Sequence, residues 1–185
     1  MAYFDDIYIV AAGNYGIFTR TDAQALGISD KELSRIARTG RLRRIGHGVY
    51  KLARYVPGPN DHYAEAVAIV GKGAYLYGAS VLELLDLVTI SKDSQGRIYV
   101  ACPRRVRRKL PASLVLVKVS DVQDSGKPTR YEGIASQTVA DAIMACSDQL
   151  YGGQLEDVVS LARAKGLLSA REERDLLGLA EIPTA

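Results

Sequence analysis

The segment IFTRTDAQALGISDKELSRIARTGRLRRIGHGVYKL, residues 17–52, decides how the front of this chain folds. It reads as a strand stub, two short helices joined by a glycine turn, and a basic β-hairpin. Thr21 with Gln24, and Ser29 with Glu32, both fit the S/T-x-x-E/Q capping box. In that motif a hydroxyl and the side chain three residues on satisfy backbone N–H groups at a helix start. The first helix is therefore expected to run from Thr21 to Leu26-Gly27. The second is expected to run from Ser29 to Thr39-Gly40, where glycine suits a left-handed cap.

At about 100° per residue, Leu33, Ile36 and Ala37 share one face of the second helix. Lys31, Ser34, Arg35 and Arg38 share the opposite one. A helix lying in a major groove needs that division, because it packs on its own domain while offering cations and donors to phosphates and base edges. A surface helix with merely solvated charges shows the same pattern, so the residues that follow carry weight. Arg41-Leu42-Arg43-Arg44-Ile45, Gly46-His47-Gly48 and Val49-Tyr50-Lys51-Leu52 read as a short hairpin with a glycine-rich tip. Its alternation slips by one residue at Ile45, which leaves the register open. The polar groups it offers belong to Arg41, Arg43, Arg44, His47 and Lys51. A helix-turn-helix followed by such a hairpin is a winged helix, whose wing reaches the sugar-phosphate backbone or the minor groove. DNA binding by residues 1–56 is the expectation, with a winged helix used for protein contacts as the alternative.

Charge is distributed accordingly. Residues 1–56 hold nine Lys or Arg against five Asp or Glu, while residues 57–185 hold fifteen against sixteen. The overall net charge of +3 hides this concentration. An electrostatic footprint for nucleic acid would lie at the front, and binding there should weaken steeply with salt.

With 185 residues, 48% of them hydrophobic, the chain can bury one sizeable core or two small ones. It has no apolar run near the length of a membrane span. The opening MAYFDDIYIVAAGNYG is acidic and lacks a signal-peptide pattern, which points to the cytoplasm. It reads instead as a first helix with Phe4, Ile7, Tyr8 and Ala11 on one face. Cys102 and Cys146 stand far apart without neighbouring His or Cys, so two buried thiols are expected rather than a metal site.

Tyr55-Val56-Pro57-Gly58-Pro59-Asn60 suits a connector, dividing residues 1–56 from an α+β domain over residues 57–185. In that domain helices are expected at Asp61–Gly71, Ala79–Leu87, Ser136–Ser147, Gln154–Lys165 and from a third capping box, Ser169 with Glu172, to about Leu179. Arg97–Cys102, Ser113–Val119 and Thr129–Ile134 read as the strands of a small antiparallel sheet. No internal repeat is visible.

Signs of chemistry in residues 57–185 are few. His62 has no obvious acid/base partner. Gly71-Lys72-Gly73 lacks the spacing of a phosphate loop and follows a helix, so it reads as a helix end. Asp141, Asp148, Glu156 and Asp157 read as a solvated face, and no strand-borne acidic pair with Glu-x-Lys is present. No cofactor or catalytic residue is therefore assigned. The unusual element is Arg104-Arg105-Val106-Arg107-Arg108-Lys109 between Pro103 and Pro111. Five cations in six residues repel one another and favour an exposed loop. Either a solvated loop or a grip on nucleic acid or an acidic partner accounts for it.

With these residues in view, the chain resembles the AbiEi family of antitoxins. The resemblance lies in the wing pattern G-x-L-x-R-x-G-x-G-V-Y, the P-x-P linker, and the less specific segments YLYGASVLELLDL and YEGIASQTVADAIMAC. It implies a winged-helix domain joined to an antitoxin domain, encoded beside a nucleotidyltransferase-like toxin. Such a protein would repress its own promoter through repeated operator sites, as monomer or homodimer, and separately neutralise the toxin. These systems act in abortive infection against phage. By the same resemblance, Lys31, Ser34, Arg35 and Arg38 take the recognition-helix role and Arg41, Arg43, Arg44 and His47 the wing role. Thr21 and Ser29 would touch phosphate through backbone N–H groups at their helix starts. Two other readings remain. One is a stand-alone regulator whose second domain senses a ligand or mediates assembly. The other is an enzyme, against which stands the missing cluster of titratable residues.

Overall fold

A computed structural model describes residues 3–88, 96–118, 127–150 and 153–180. The chain divides into two compact units, Met1–Lys72 and Gly73–Ala185.

The first unit runs α1 (Phe4–Ala12), β1 (Ile17–Thr19), α2 (Arg20–Ala25), α3 (Asp30–Arg38), β2 (Leu42–Gly46), β3 (Val49–Leu52) and α4 (Asp61–Val70). Strand β3 is central in an antiparallel sheet of order β1-β3-β2, with Phe18 opposite Tyr50 and Leu42 opposite Leu52. Those four residues share one core with Ile7, Ala11, Ala23, Ile28, Leu33 and Ile36. The three helices and the hairpin therefore form a winged helix around a single apolar centre. A bulge between Arg44 and Gly46 absorbs the slip in alternation at Ile45, adding one unpaired residue and local twist.

Three expectations about this unit need correcting. Tyr8 does not face inward with Phe4, Ile7 and Ala11, since it is 56% exposed. The buried arc of α1 centres on Ile7 and Ala11, and the amphipathic ring at its margin keeps its hydroxyl in water. Thr21 is not a helix cap. Strand β1 ends at Thr19, whose extended backbone makes it the N-cap. Thr19 Oγ1 accepts from the Asp22 N–H (3.2 Å), and Asp22 Oδ2 accepts from the Thr19 N–H (2.7 Å). At Ser29 only half of the expected box forms: the hydroxyl accepts from the Glu32 N–H at 3.2 Å, but the Glu32 carboxylate turns to Arg35 instead.

The division between units also falls later than the proline-rich connector suggests. Helix α4 packs on β1 and β2, tied there by Lys51 of β3, whose ammonium donates to Asp61 and Glu65. A connector composition at residues 55–60 marks a turn in the path of the chain, whereas side chains beyond it decide which unit claims the helix. Gly71, with φ +97°, caps the end of α4, so Gly71-Lys72-Gly73 is a helix end as expected.

The second unit comprises β4 (Tyr75–Leu76), α5 (Ala79–Leu84), β5 (Ile98–Cys102), β6 (Leu114–Lys118), β7 (Thr129–Tyr131), β8 (Ile134–Ser136), α6 (Val139–Ala145), α7 (Gln154–Ala164) and α8 (Ala170–Ala180). Its sheet has the order β6-β5-β4-β8-β7. Pairs β4/β5 and β7/β8 are antiparallel, while β4/β8 and β5/β6 are parallel. The α+β class holds, and the sheet is mixed because residues 103–113 are a connection long enough to return the chain to a parallel start. Thr129–Ile134, read as one strand, is a hairpin turning at Glu132 and Gly133. Both have positive φ, +49° and +76°, as in the primed turns that match strand twist. Val119, expected at the end of the second strand, lies outside the described residues.

Helix α6 buries Val139, Ala142, Ile143 and Cys146 as its spacing predicts. Asp141, expected on a solvated face, is buried there too. It accepts from the Thr138 hydroxyl at 2.7 Å and its N–H donates back to that oxygen at 3.2 Å. This satisfies the helix start from inside and accounts for a carboxylate in the interior. Asp148, Glu156 and Asp157 are exposed. At Ser169 the third box is complete, with donors at 2.8 and 3.2 Å.

Candidate nucleic-acid interface

Helix α3 is held by its apolar stripe. Leu33 and Ile36 are buried, whereas Lys31, Ser34, Arg35 and Arg38 are all exposed. The sequence-assigned reading residues thus share one outward face, set by helical period and by the Ser29 cap. Arg35 is not a loose cation. Its Nε donates to Glu32 Oε2 at 3.2 Å and its Nη2 to Glu32 Oε1 at 2.7 Å. That hydrogen bonding holds the Glu32 carboxyl below its ordinary range and the Arg35 guanidinium above its own.

On the wing, Arg43, Arg44 and His47 are exposed. Arg44 Nε donates to the Gly46 carbonyl at 3.1 Å, and its Nη2 lies 3.5 Å from His47 Nδ1, so the bulge gathers both side chains at the tip. Gly48 closes the tip with φ +70°. A Cβ there would stand 3.3 Å from that of Arg20, and the Gly48 carbonyl accepts from the Arg20 N–H at 2.7 Å. Arg20 also pairs with Asp30, its Nε donating to Oδ1 at 2.7 Å. The pair links the starts of α2 and α3 and had no counterpart in the sequence reading. Arg41, assigned to the wing, places its guanidinium 4.7 Å from the centre of the Phe4 ring. It lines a cleft of about 480 Å³ with Tyr3, Phe4, Glu32, Arg35 and Ile36, between the start of α1 and α3.

Lys51 does not belong to this surface. Its side chain is 4% exposed, with the ammonium against the buried carboxylate of Asp61, 2.6 Å from Glu65 Oε1 and 5.0 Å from the centre of the Tyr55 ring. Burial alone would lower its pKa, but the two carboxylates outweigh this and hold it above the ordinary lysine value. Period-two alternation marked Lys51 as a polar position of the hairpin. It did not say that α4 covers that face. Thr21 is exposed within the first turn of α2, and Ser29 is exposed at the α3 cap.

In the second unit Arg104, Arg105, Arg107, Arg108 and Lys109 are all exposed, while Val106 and Leu110 are half-buried. A Cβ on Gly73 would stand 3.4 Å from the Pro103 ring, so the loop departs close to the Gly73 turn. The register Cys102↔Lys118 sets exposed Lys118 beside the point where the loop departs. Cys102 and Cys146 are free and buried, as expected, and burial pushes the Cys146 thiol up to about 11. No group of three or more His, Cys, Asp or Glu among the described residues is arranged to hold a metal ion. No described helix is long and apolar enough to cross a membrane.

Residues 5–53 match the family model described as "Transcriptional regulator, AbiEi antitoxin". The match begins in α1 and ends one residue beyond β3, so it spans the winged helix and agrees with the resemblance carried by the wing motif. It does not reach α4 or the second unit. No curated protein matches the chain.

Proposed function

We propose that this chain is a DNA-binding repressor of its own promoter, acting in the cytoplasm, whose α3 enters the major groove of operator DNA while the Arg43–Arg44–His47 tip touches the backbone. The observation that carries this reading is the outward cationic stripe of α3 beside a cationic wing, both fixed to one winged-helix core. Such an arrangement separates base reading from phosphate positioning. Repeated operator sites would be met by one chain each, or by a homodimer. A promoter fragment titrated in a gel-shift assay tests it. Binding that weakens steeply with salt and resists an excess of random duplex supports it, and equal binding to both duplexes ends it.

The second half of the proposal is neutralisation of a nucleotidyltransferase-like toxin, in the manner of an abortive-infection antitoxin and without catalysis. Its support is the regulator-antitoxin description that the first unit matches and the separate compact second unit. Full-length protein carrying Arg38→Ala should lose repression yet still rescue cells expressing the toxin. If rescue and repression fall together, the two activities are not separable.

A further inference from the structure

The Glu32–Arg35 pair has a geometry that an ordinary surface ion pair does not need. A guanidinium carries five N–H donors on a rigid fork. Here the Nε–Nη2 edge is occupied by the Glu32 carboxylate, through contacts of 3.2 and 2.7 Å. The other edge, formed by Nη1 and the second hydrogen of Nη2, meets no acceptor among the described residues, and the side chain is 64% exposed. Two parallel donors on such an edge match the O6 and N7 acceptors that guanine presents in the major groove. We propose that Glu32 is a positioning residue that presents the Nη1–Nη2 edge of Arg35 to one guanine of the operator. This rests on the reading of α3 as the groove helix and names the base that helix recognises.

Charge points the same way. A carboxylate at 2.7 Å from Arg35 cancels its cation, so the pair exerts little pull on phosphate and its oxygens repel one. What remains is directional hydrogen bonding, which suits the uncharged acceptors of a base edge. Lys31 and Arg38 share the exposed face and have no carboxylate paired with them among the described residues, so they suit phosphate better. Glu32 is also free to serve this purpose. The α3 cap uses its backbone N–H, and its carboxylate does not return to Ser29.

The test is selection of duplexes from a random-sequence library by the full-length chain, repeated with Glu32→Gln and Arg35→Lys. The wild type should show one position where guanine is required, and Arg35→Lys should abolish that requirement. Glu32→Gln should lower discrimination at that position alone by about tenfold, within the range a bidentate base contact confers. It should also tighten binding to mixed-sequence duplex at low salt, since a negative charge leaves the surface. Because the cap survives in Glu32→Gln, its melting curve should overlay that of the wild type, separating loss of positioning from loss of fold. An unchanged guanine preference in Glu32→Gln overturns the inference, as does a lost cytosine preference, which would make Glu32 itself a reader. A wild type that selects no sequence at all sinks the repressor reading first.

Discussion

In the first unit, the cations of α3 and the wing stand in solvent on a scaffold that buries a charged network of Lys51 with Asp61 and half-buried Glu65. In the second, the polar side chains that matter structurally turn inward. Ser80, Ser136, Gln137 and Asp141 are buried; Gln137 Oε1 accepts from the Gly78 N–H at 3.0 Å and Ser80 Oγ from the Tyr99 N–H at 2.9 Å. Five of the fourteen Lys and Arg residues of the second unit fall in one loop, Arg104 to Lys109. Among the described residues no buried side-chain polar atom lacks a partner. A surface that presents unspent donors on rigid elements is organised for recognition, whereas one that consumes them internally is organised for shape. The location of a charge relative to the core, more than its count, separates the two.

Lys51 is the sharpest test of that distinction, because it has the chemistry of the interface and the position of the core. Lys51→Ala should lower the stability of the first unit by about 3–5 kcal/mol, since two carboxylates lose their counter-charge in a covered site. Urea unfolding followed by circular dichroism measures it. The folded pKa lies above the unfolded one, so the stabilisation is present below the ordinary lysine value and is lost as pH rises through the folded value. Alkaline unfolding should therefore begin earlier in variants lacking Asp61. Were Lys51→Ala to weaken DNA binding while leaving stability intact, the residue would return to the interface.

Arg38 and Arg43 come next. Either change to Ala should shift the unfolding free energy by less than about 0.5 kcal/mol, as for other exposed sites. Arg38→Ala, on phosphate, should behave as Arg43→Ala does, whereas Arg35→Ala, whose free edge meets a base, should cost roughly 1–3 kcal/mol in operator affinity. Arg43→Ala should weaken all duplexes alike and lower the salt slope by about one. Fluorescence anisotropy across a salt series separates these outcomes. A smaller effect divides Thr19 from Thr21: Thr19→Ala removes a cap and should destabilise by about 1 kcal/mol, whereas Thr21→Ala should be close to neutral. Equal effects would restore the helix start that the S/T-x-x-Q spacing suggested.

How far the sequence could be read follows from the range of the forces involved. The stripes of α3, the wing with its slip at Ile45, and the helices α5 to α8 were legible because their signals lie within one or two turns of chain. The buried roles of Lys51 and Asp141 were not, since each depends on an element that packs over it. Strand β4 has two residues, too few for alternation to register, and the parallel pairing of β5 with β6 is a long-range choice. Thr19 is hidden in the sequence because strand β1 ends directly at a helix, with no loop residue between them to mark the cap. Glu32 was assigned to a capping box although its i,i+3 spacing to Arg35 fits an ion pair equally well.

The loop from Arg104 to Lys109 combines both patterns, exposed cations like the first unit and a position in the second. Replacing Arg104, Arg105, Arg107, Arg108 and Lys109 together by Gln should leave the unfolding midpoint unchanged or slightly raised, because like charges that repel are removed from solvent. The functional readings then diverge. A salt slope that falls on mixed-sequence DNA marks a phosphate contact, and loss of toxin rescue with DNA binding intact marks an acidic partner. Survival of both makes the loop solvated surface, and a clear loss of stability would show that these cations, like Lys51, belong to the scaffold.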